Sequence, residues 1–250
     1  MSERIQVQHE SKVPVMRRIG IIGGFGQWAT QDIVNRILKA SVVRVPQYGN
    51  RGYPPMDIRI VNQAPMKLNP DGSFPDELEP DPSLLEAARF VGTHSDFLIL
   101  PSNTPHLFKR QIEEASGKPL LSIIDVTVNE VKKRKYKRVG IIAIGLTLKK
   151  RLFQDPLDLI GVESVTLPED MSQAMDEEGI WELQEGAEAN DVNASTKAAV
   201  AYLREKGVDG IILGCTEIPI LLGDEAEATD IINPSQLLAE AAVDRALEKE

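Results

Sequence analysis

The sequence lacks several features that would assign it to a special class of protein. Only one cysteine occurs in 250 residues, which excludes an internal disulfide and a metal site built from several thiolates. No apolar run approaches the roughly 20 residues that a membrane span requires. Residues 1–16 form a polar tail without the apolar stretch of a signal peptide. We therefore expect a cytoplasmic protein without a metal.

Positive charge is also in short supply. Asp and Glu number 38 against 28 Lys and Arg, for a net charge of −10. This balance argues against a nucleic acid or an anionic membrane surface as the partner. It leaves room for a small anionic substrate, because backbone amides at helix N-termini can bind an anion.

What the sequence does contain is an alternation of short β-branched runs with amphipathic stretches. This alternation predicts a parallel α/β fold. Strands are predicted at residues 19–22, 57–61, 97–100, 120–124, 139–144, 162–167, 210–213 and 231–232. Helices are predicted between them, whereas residues 64–82 and 168–178 are predicted to be loops.

The chain shows an internal repeat. Residues 96–104 read DFLILPSNT and align with residues 209–217, which read DGIILGCTE. Residues 18–22 (RIGII) align in the same order with residues 138–142 (RVGII). Two matching pairs in one order indicate two related halves.

The repeat places Ser102 opposite Cys215, each after a predicted buried strand. In open α/β sheets, ligands bind outside the carboxyl ends of the strands. Two equivalent strand ends suit proton transfer on both faces of one carbon next to a carboxylate. A helix starting after Cys215 would lower the thiol pKa toward neutrality. The alternative is that Cys215 is an inert core residue.

A glycine-rich turn follows the first strand, where residues 23–30 read GGFGQWAT. Gly24, Gly26 and Ala29 satisfy the dinucleotide pattern G-x-G-x-x-A. The acidic residue that should follow the second strand is replaced by Asn62 and Gln63, so dinucleotide binding is disfavoured. The turn still lets backbone amides approach a small polar ligand.

Four motifs together resemble the cofactor-independent aspartate/glutamate racemase family. They are IGIIGGFGQWAT at residues 19–30, PSNTPH at 101–106, GCTE at 214–217 and NPSQLLAEAAV at 233–243. The resemblance implies two flavodoxin-like domains related by a pseudo-twofold axis, with the active site in the cleft between them. It implies domains at residues 17–124 plus 233–250 and at residues 125–232. It also implies a homodimer and catalysis without a cofactor.

The resemblance implies site residues as well. Cys215 and the Ser102 position would be the two acid/base groups, one on each face of the substrate. A substrate carboxylate would be held by Asn103, Thr104, Thr216 and Glu217, with Gly24, Thr147 and Lys67 nearby.

Departures from the family pattern occur at the positions expected to take part in catalysis and substrate binding. Ser102 stands where the family has its first cysteine, either naturally or as a replacement. His106 lies one turn later, but no acid that would orient a Ser–His pair is visible. The arginine and lysine that grip a side-chain carboxylate in the family are missing from residues 64–71 and 169–173. Lys67, Arg51 or Arg59 are the candidates to replace them.

Three functions remain open on this sequence. The leading hypothesis is an amino-acid racemase or epimerase that uses Cys215 and the Ser102 position. The second is a single-thiol lyase, decarboxylase or isomerase of a small carboxylic acid, in which Cys215 serves one face. The third is a carboxylate-binding homologue without catalytic activity.

Overall fold

The computed structural model describes residues 14–47 and 51–248. The predicted tail at residues 1–16 therefore lies almost wholly outside the described residues. None of the helices within them combines the length and apolar character needed to cross a bilayer.

The first half contains a three-stranded parallel sheet in the order β2-β1-β3. Its strands are β1 (Ile19–Gly23), β2 (Met56–Ile60) and β3 (Phe97–Ile99). The central strand β1 is buried along its whole length, as expected for a strand covered on both faces by helices.

The second half repeats this plan with a four-stranded parallel sheet in the order β5-β4-β6-β7. Its strands are β4 (Arg138–Ile142), β5 (Glu163–Thr166), β6 (Gly210–Leu213) and β7 (Ile231–Ile232). The orders β2-β1-β3 and β5-β4-β6 match element by element. The predicted α/β fold with two similar parallel sheets is confirmed.

Helices connect the strands in both halves. In the first half they are α1 (Gln27–Arg44), α2 (Pro82–His94) and α3 (Lys109–Ser116), with a 3₁₀ helix at Thr104–Phe108. Between the halves lies α4 (Ile123–Arg134). In the second half they are α5 (Gly145–Lys149), α6 (Gln154–Leu159), α7 (Glu169–Met175), α8 (Glu182–Gln184), α9 (Ala194–Glu205) and α10 (Ile218–Leu222). A 3₁₀ helix at Gly223–Glu227 and the final helix α11 (Pro234–Leu247) complete the chain.

The predicted strand at residues 120–124 is wrong. Only Leu120 joins the sheet, as a single parallel bridge to Leu98. Ser122 ends the strand, because its side chain accepts a hydrogen bond from the backbone N–H of Asp125 and caps α4, which begins at Ile123. A capped helix thus replaces most of the expected strand.

The predicted loop at residues 168–178 is also wrong. These residues form α7 and the first part of a π-helix at Asp176–Trp181, which continues into α8. The wider turn of a π-helix disturbs the 3.6-residue apolar spacing that reveals a helix in a sequence. The apolar side chains Met175, Ile180 and Leu183 are nevertheless buried.

The core runs through both halves. One cluster of buried apolar side chains joins Ile21 and Phe97 of the first sheet to Ile141 and Ile212 of the second. Helix α11 adds Val243 to this cluster and packs on α1 and α4. The domain boundaries at 124/125 and 232/233 remain a prediction.

Candidate active site

A cavity of about 470 Å³ opens where the carboxyl ends of the two sheets approach each other. Ser102 lies just after β3 and Cys215 just after the equivalent strand β6, and both line this cavity. The other predicted site residues that line it are Asn103, Thr104, Thr147, Thr216 and Glu217. Residues far apart in the chain therefore share one cleft.

Two hydrogen bonds cross the floor of this cleft. The Asn103 side chain donates from Nδ2 to the carbonyl oxygen of Gly214 at 2.8 Å. The hydroxyl groups of Thr104 and Thr147 lie 3.1 Å apart and share a second hydrogen bond. All three side chains are buried, so these bonds hold the two strand ends at a set separation.

Cys215 and Glu217 form a buried pair. The thiol donates to Oε2 of Glu217 at 3.2 Å, and the hydroxyl of Thr216 lies 3.3 Å from the same oxygen. The second carboxyl oxygen, Oε1, is buried without a hydrogen-bond partner. It lies against Gly26, where a Cβ atom would collide with it. The backbone of Gly26 has a φ of +100°, which L side chains rarely adopt, and a side chain there would displace the carboxyl group of Glu217.

Both members of this pair hold their protons more tightly than usual. Burial, and then the nearby carboxyl group of Glu217, raise the pKa of Cys215 well above its ordinary value. Burial also raises the pKa of Glu217, against the opposing effect of the hydrogen bonds from Cys215 and Thr216. The expected lowering of the Cys215 pKa by a helix N-terminus is wrong, because the following helix α10 has only five residues and desolvation dominates.

Ser102 has no basic partner in His106. Nδ1 of His106 lies 2.8 Å from the backbone carbonyl oxygen of Ser102, and Nε2 lies 3.3 Å from the backbone nitrogen of Ile123. Both ring nitrogens are thus engaged with the backbone. Burial lowers the pKa of His106 to about 4, so the ring is neutral and braces the turn that carries Ser102.

Two predicted substrate-binding residues do not line the cavity. Gly24 packs its backbone against Val61, where a Cβ would collide with the carbonyl oxygen, and the neighbouring Phe25 and Gly26 line the cavity instead. Lys67 points away and pairs with Glu79, with Nζ 2.6 Å from Oε2. Its neighbours in the chain, Met66 and Leu68, contribute to the cavity wall.

Residues that sequence reasoning missed form the walls of the cavity. The segment between β2 and α2 contributes Leu68 and Phe74, and the π-helix contributes Ile180 and Trp181. The start of α1 is hydrogen-bonded to the residues that follow the π-helix. The indole Nε1 of Trp28 donates to the carbonyl oxygen of Leu183 at 3.0 Å, and Gln27 donates to that of Gln184 at 3.0 Å. Leu68 and Phe74 lie in the predicted loop at residues 64–82, whereas Ile180 and Trp181 lie just after the predicted loop at residues 168–178.

Asp176 is another residue without a signal in the sequence. It starts the π-helix, and burial raises the pKa of its carboxyl group to about 6. Its negative charge adds to the effect of Glu217 on the Cys215 thiol. Among residues 14–47 and 51–248, no group of three or more His, Cys, Asp or Glu side chains could hold a metal ion.

The chain is similar to several known proteins. It is 34% identical over 110 residues to an uncharacterized protein of Pectobacterium carotovorum subsp. carotovorum. The aligned residues cover 44% of this chain and 72% of that protein. It is 23% identical over 226 residues to the broad specificity amino-acid racemase RacX of Bacillus subtilis (strain 168). That alignment covers 90% of this chain and 96% of the relative.

A likeness in three dimensions accompanies the likeness in sequence. The Picrophilus torridus aspartate racemase superposes with a TM-score of 0.75 at 17% identity, covering 93% of this chain and 95% of that one. At such an identity the likeness concerns the fold. The sequence profile of the Asp/Glu/hydantoin racemase family matches residues 22–242, which is most of the chain. The protein therefore belongs to the Asp/Glu/hydantoin racemase family.

Proposed function

We propose that this protein is a cofactor-independent amino-acid racemase or epimerase that transfers protons at Cα. The observation that carries the proposal is that Cys215 and Ser102, at the ends of equivalent strands, line one cavity. A planar carbanion formed between them would be reached from two faces. Family membership and the similarity to a broad specificity amino-acid racemase support the same reaction class.

On one face, Cys215 and Glu217 act as a unit. The thiol of Cys215 already donates a hydrogen bond to Oε2 of Glu217. Transfer of the thiol proton to the carboxylate therefore leaves a thiolate base and a neutral carboxylic acid. No net charge is created in the buried site by that step. The thiolate then removes the α-proton of the substrate, and a proton given by the Ser102 hydroxyl to the opposite face of the carbanion completes the inversion. The serine oxygen and the Glu217 carboxylic acid return to their starting protonation states by proton exchange with solvent.

The substrate carboxylate would lie between the two strand ends. The backbone amides in the turns around Asn103, Thr104, Thr216 and Glu217 are the donors available there, and they lie at the carboxyl ends of parallel strands. In this proposal the Asn103 and Thr104 side chains position the turns, because their hydrogen bonds reach Gly214 and Thr147.

The Ser102 face lacks a comparable base, and this favours a second candidate. Both ring nitrogens of His106 contact backbone groups, so a serine hydroxyl alone would have to exchange the proton. A single-thiol isomerase, lyase or decarboxylase of a small carboxylic acid needs only the Cys215 face. A carboxylate-binding homologue without turnover needs neither Cys215 nor Ser102 as a proton-transfer group.

Proton NMR in deuterated buffer with a pool of amino acids separates these possibilities. We expect loss of the α-proton signal of at least one amino acid, with chiral analysis showing formation of the opposite enantiomer. Cys215→Ala should slow the exchange by about 10²–10⁴-fold, the usual contribution of general acid/base catalysis.

Variants at the other face provide the matched comparison. Under the proposal, Ser102→Ala slows racemisation and Ser102→Cys accelerates it. If Ser102→Ala has no effect and products keep one configuration, the single-thiol reaction is the correct one. Absence of exchange in both the parent protein and Ser102→Cys would reject racemase activity.

The proposal includes a homodimer in the cytoplasm. Support for assembly comes from apolar side chains on the outer surface of the first half, where Val43 and Ile60 are 82% and 65% exposed. Light scattering after size-exclusion chromatography tests the dimer, and Ile60→Lys is the variant expected to weaken it. A monomer at micromolar concentration would contradict this part of the proposal.

A further inference from the structure

The cavity carries no positive charge. Among the described residues that line it, Glu217 is the only Asp or Glu, and none is a Lys, Arg or His. Lys67, the nearest lysine in the chain, is occupied by Glu79. A carboxylate removed from water needs a cation or several hydrogen-bond donors to offset its desolvation.

Apolar side chains dominate the walls instead. Six of them, from both halves of the molecule, surround the space above the strand ends. They are Phe25, Leu68, Phe74, Leu146, Ile180 and Trp181. Three of these sit at the opening with unusually large exposure: Leu68 is 42%, Phe74 54% and Trp181 60% exposed. An apolar patch of this kind around a cavity is typical of a ligand-binding surface.

The polar floor contains two buried hydrogen-bond acceptors that have no donor among the described residues. Oδ1 of Asn103 and Oε1 of Glu217 are buried acceptors without a partner in the described structure. Unpaired buried acceptors are costly, and both belong to residues that line the cavity. An ammonium group brings three N–H donors and a positive charge, which would complement Glu217.

From these observations we infer that the substrate is a zwitterionic α-amino acid with an apolar, branched or aromatic side chain. The ammonium group lies toward Asn103 and Glu217, and the side chain lies against the apolar walls. Such a substrate is neutral overall, whereas aspartate, glutamate and malonate-like diacids would bring an excess negative charge to Glu217. This inference rests on the proposed function and names the substrate class of that site.

Binding to the Cys215→Ala protein tests the inference apart from turnover. Titration calorimetry with L-phenylalanine, L-leucine, L-glutamate and L-aspartate should give dissociation constants at least about tenfold lower for the apolar pair, as expected for burial of an apolar side chain. Removing the amino group, in 3-phenylpropionate, should weaken binding relative to phenylalanine by a similar factor.

A charge introduced into the wall provides the second test. Leu68→Arg should shift the preference toward glutamate by at least about tenfold, because it supplies the missing cation. Leu38→Arg is the matched control: Leu38 is 37% exposed on α1 and lies outside the cavity. We expect the control to leave the preference unchanged.

The outcomes separate the inference from the proposed function. Tighter binding of glutamate or aspartate by the parent site overturns the inference even where exchange at Cα occurs. Tighter binding of apolar amino acids without exchange supports the inference and contradicts racemase activity. Binding of none of the four amino acids overturns the inference, whereas racemase activity is decided by the exchange measurement.

Discussion

Cys215 and Glu217 behave as one titrating unit because they are buried together. Desolvation raises the pKa of each, the carboxyl group of Glu217 raises the pKa of Cys215 further, and the hydrogen bond from Cys215 opposes the rise at Glu217. The thiol is therefore neutral in the resting state and donates to Oε2 of Glu217. Such a pair stores one mobile proton in a cavity with few other ionisable groups.

Replacing Glu217 by glutamine should lower the pKa of the Cys215 thiol, because the repelling carboxylate is removed while the burial remains. It should also slow α-proton exchange by about 10²-fold, since the acceptor for the thiol proton is lost. Ultraviolet absorbance of the thiolate, followed through a pH titration, measures the first effect. Glu185→Gln, on an exposed glutamate nearby, is the control, and an unchanged thiol pKa in Glu217→Gln would contradict the coupling.

His106 makes stability depend on pH. Burial lowers its pKa from 6.5 to about 4, so the folded protein keeps the ring neutral where the unfolded chain protonates it. Stability is therefore lost as the pH falls from 6.5 toward 4, by up to about 3 kcal/mol. Burial raises the pKa of Asp176 to about 6, which acts in the opposite direction as the pH rises through that range.

Urea unfolding at several pH values in this window checks the effect. Relative to the parent, His106→Gln should lose less stability on acidification, because the group that protonates in the unfolded chain has been removed. Asp176→Asn should show the reverse difference and a steeper loss. Parallel pH profiles for the parent and His106→Gln would show that His106 is not responsible.

At the scale of elements, a capped helix follows the last paired residues of each half at an equivalent position. Ser122 caps α4 two residues after Leu120, the single residue that pairs there in the first half. In the second half, Asn233 caps α11 two residues after Ile231, the first residue of β7. The repeat therefore extends to the start of the helix that follows each sheet.

Ser122→Ala should destabilise the protein by about 1 kcal/mol, because the N-terminal amides of α4 lose their acceptor. Ser195→Ala is a matched control, since the Ser195 hydroxyl is buried without a hydrogen-bond partner and its removal should cost nothing. Chemical denaturation compares the two variants. Equal destabilisation of both would contradict the capping argument.

The π-helix at Asp176–Trp181 is the second element with a large effect on the site. It brings Ile180 and Trp181 to the cavity while the following residues bond to the start of α1. A regular α-helix would present different residues at this wall, because each turn of a π-helix contains an extra residue. The glycine-rich turn and α1 thereby position a wall made by the other half.

For the whole molecule, the cavity exists because two homologous strand ends are held face to face. The bond between the Thr104 and Thr147 hydroxyls and the bond from Asn103 to Gly214 join the halves directly beneath the site. A buried core cluster shared by both sheets packs the halves against each other. We expect the site to be rigid at its floor.

A double-mutant cycle tests the contact across the cleft. Thr104→Val and Thr147→Val should each destabilise the protein by about 1–3 kcal/mol, because each leaves one buried hydroxyl unpaired. The double variant should be less destabilised than the sum of the two, with a coupling energy of about 1 kcal/mol. Additive effects in urea unfolding would show that the two hydroxyls do not interact.

Much of this architecture follows from the sequence alone, for a local reason. β-branched runs identify most of the strands, glycine and proline mark their ends, and the repeat around Ser102 and Cys215 predicts that two strand ends share one site. These signals act over a few residues, so the chain reveals them without folding. Family membership is equally visible, because the motifs lie at strand ends where the backbone geometry restricts the choice of residue.

Tertiary structure alone decided the electrostatics and the walls of the cavity. The pKa of Cys215 depends on how completely other segments exclude water from it, and no local pattern reports that. The sequence favours Lys67 as a substrate-binding residue, but in the folded chain its ammonium group pairs with Glu79. Phe74, from a predicted loop, and Trp181, from a predicted helix, line one cavity only because distant hydrogen bonds and core packing bring the two halves together.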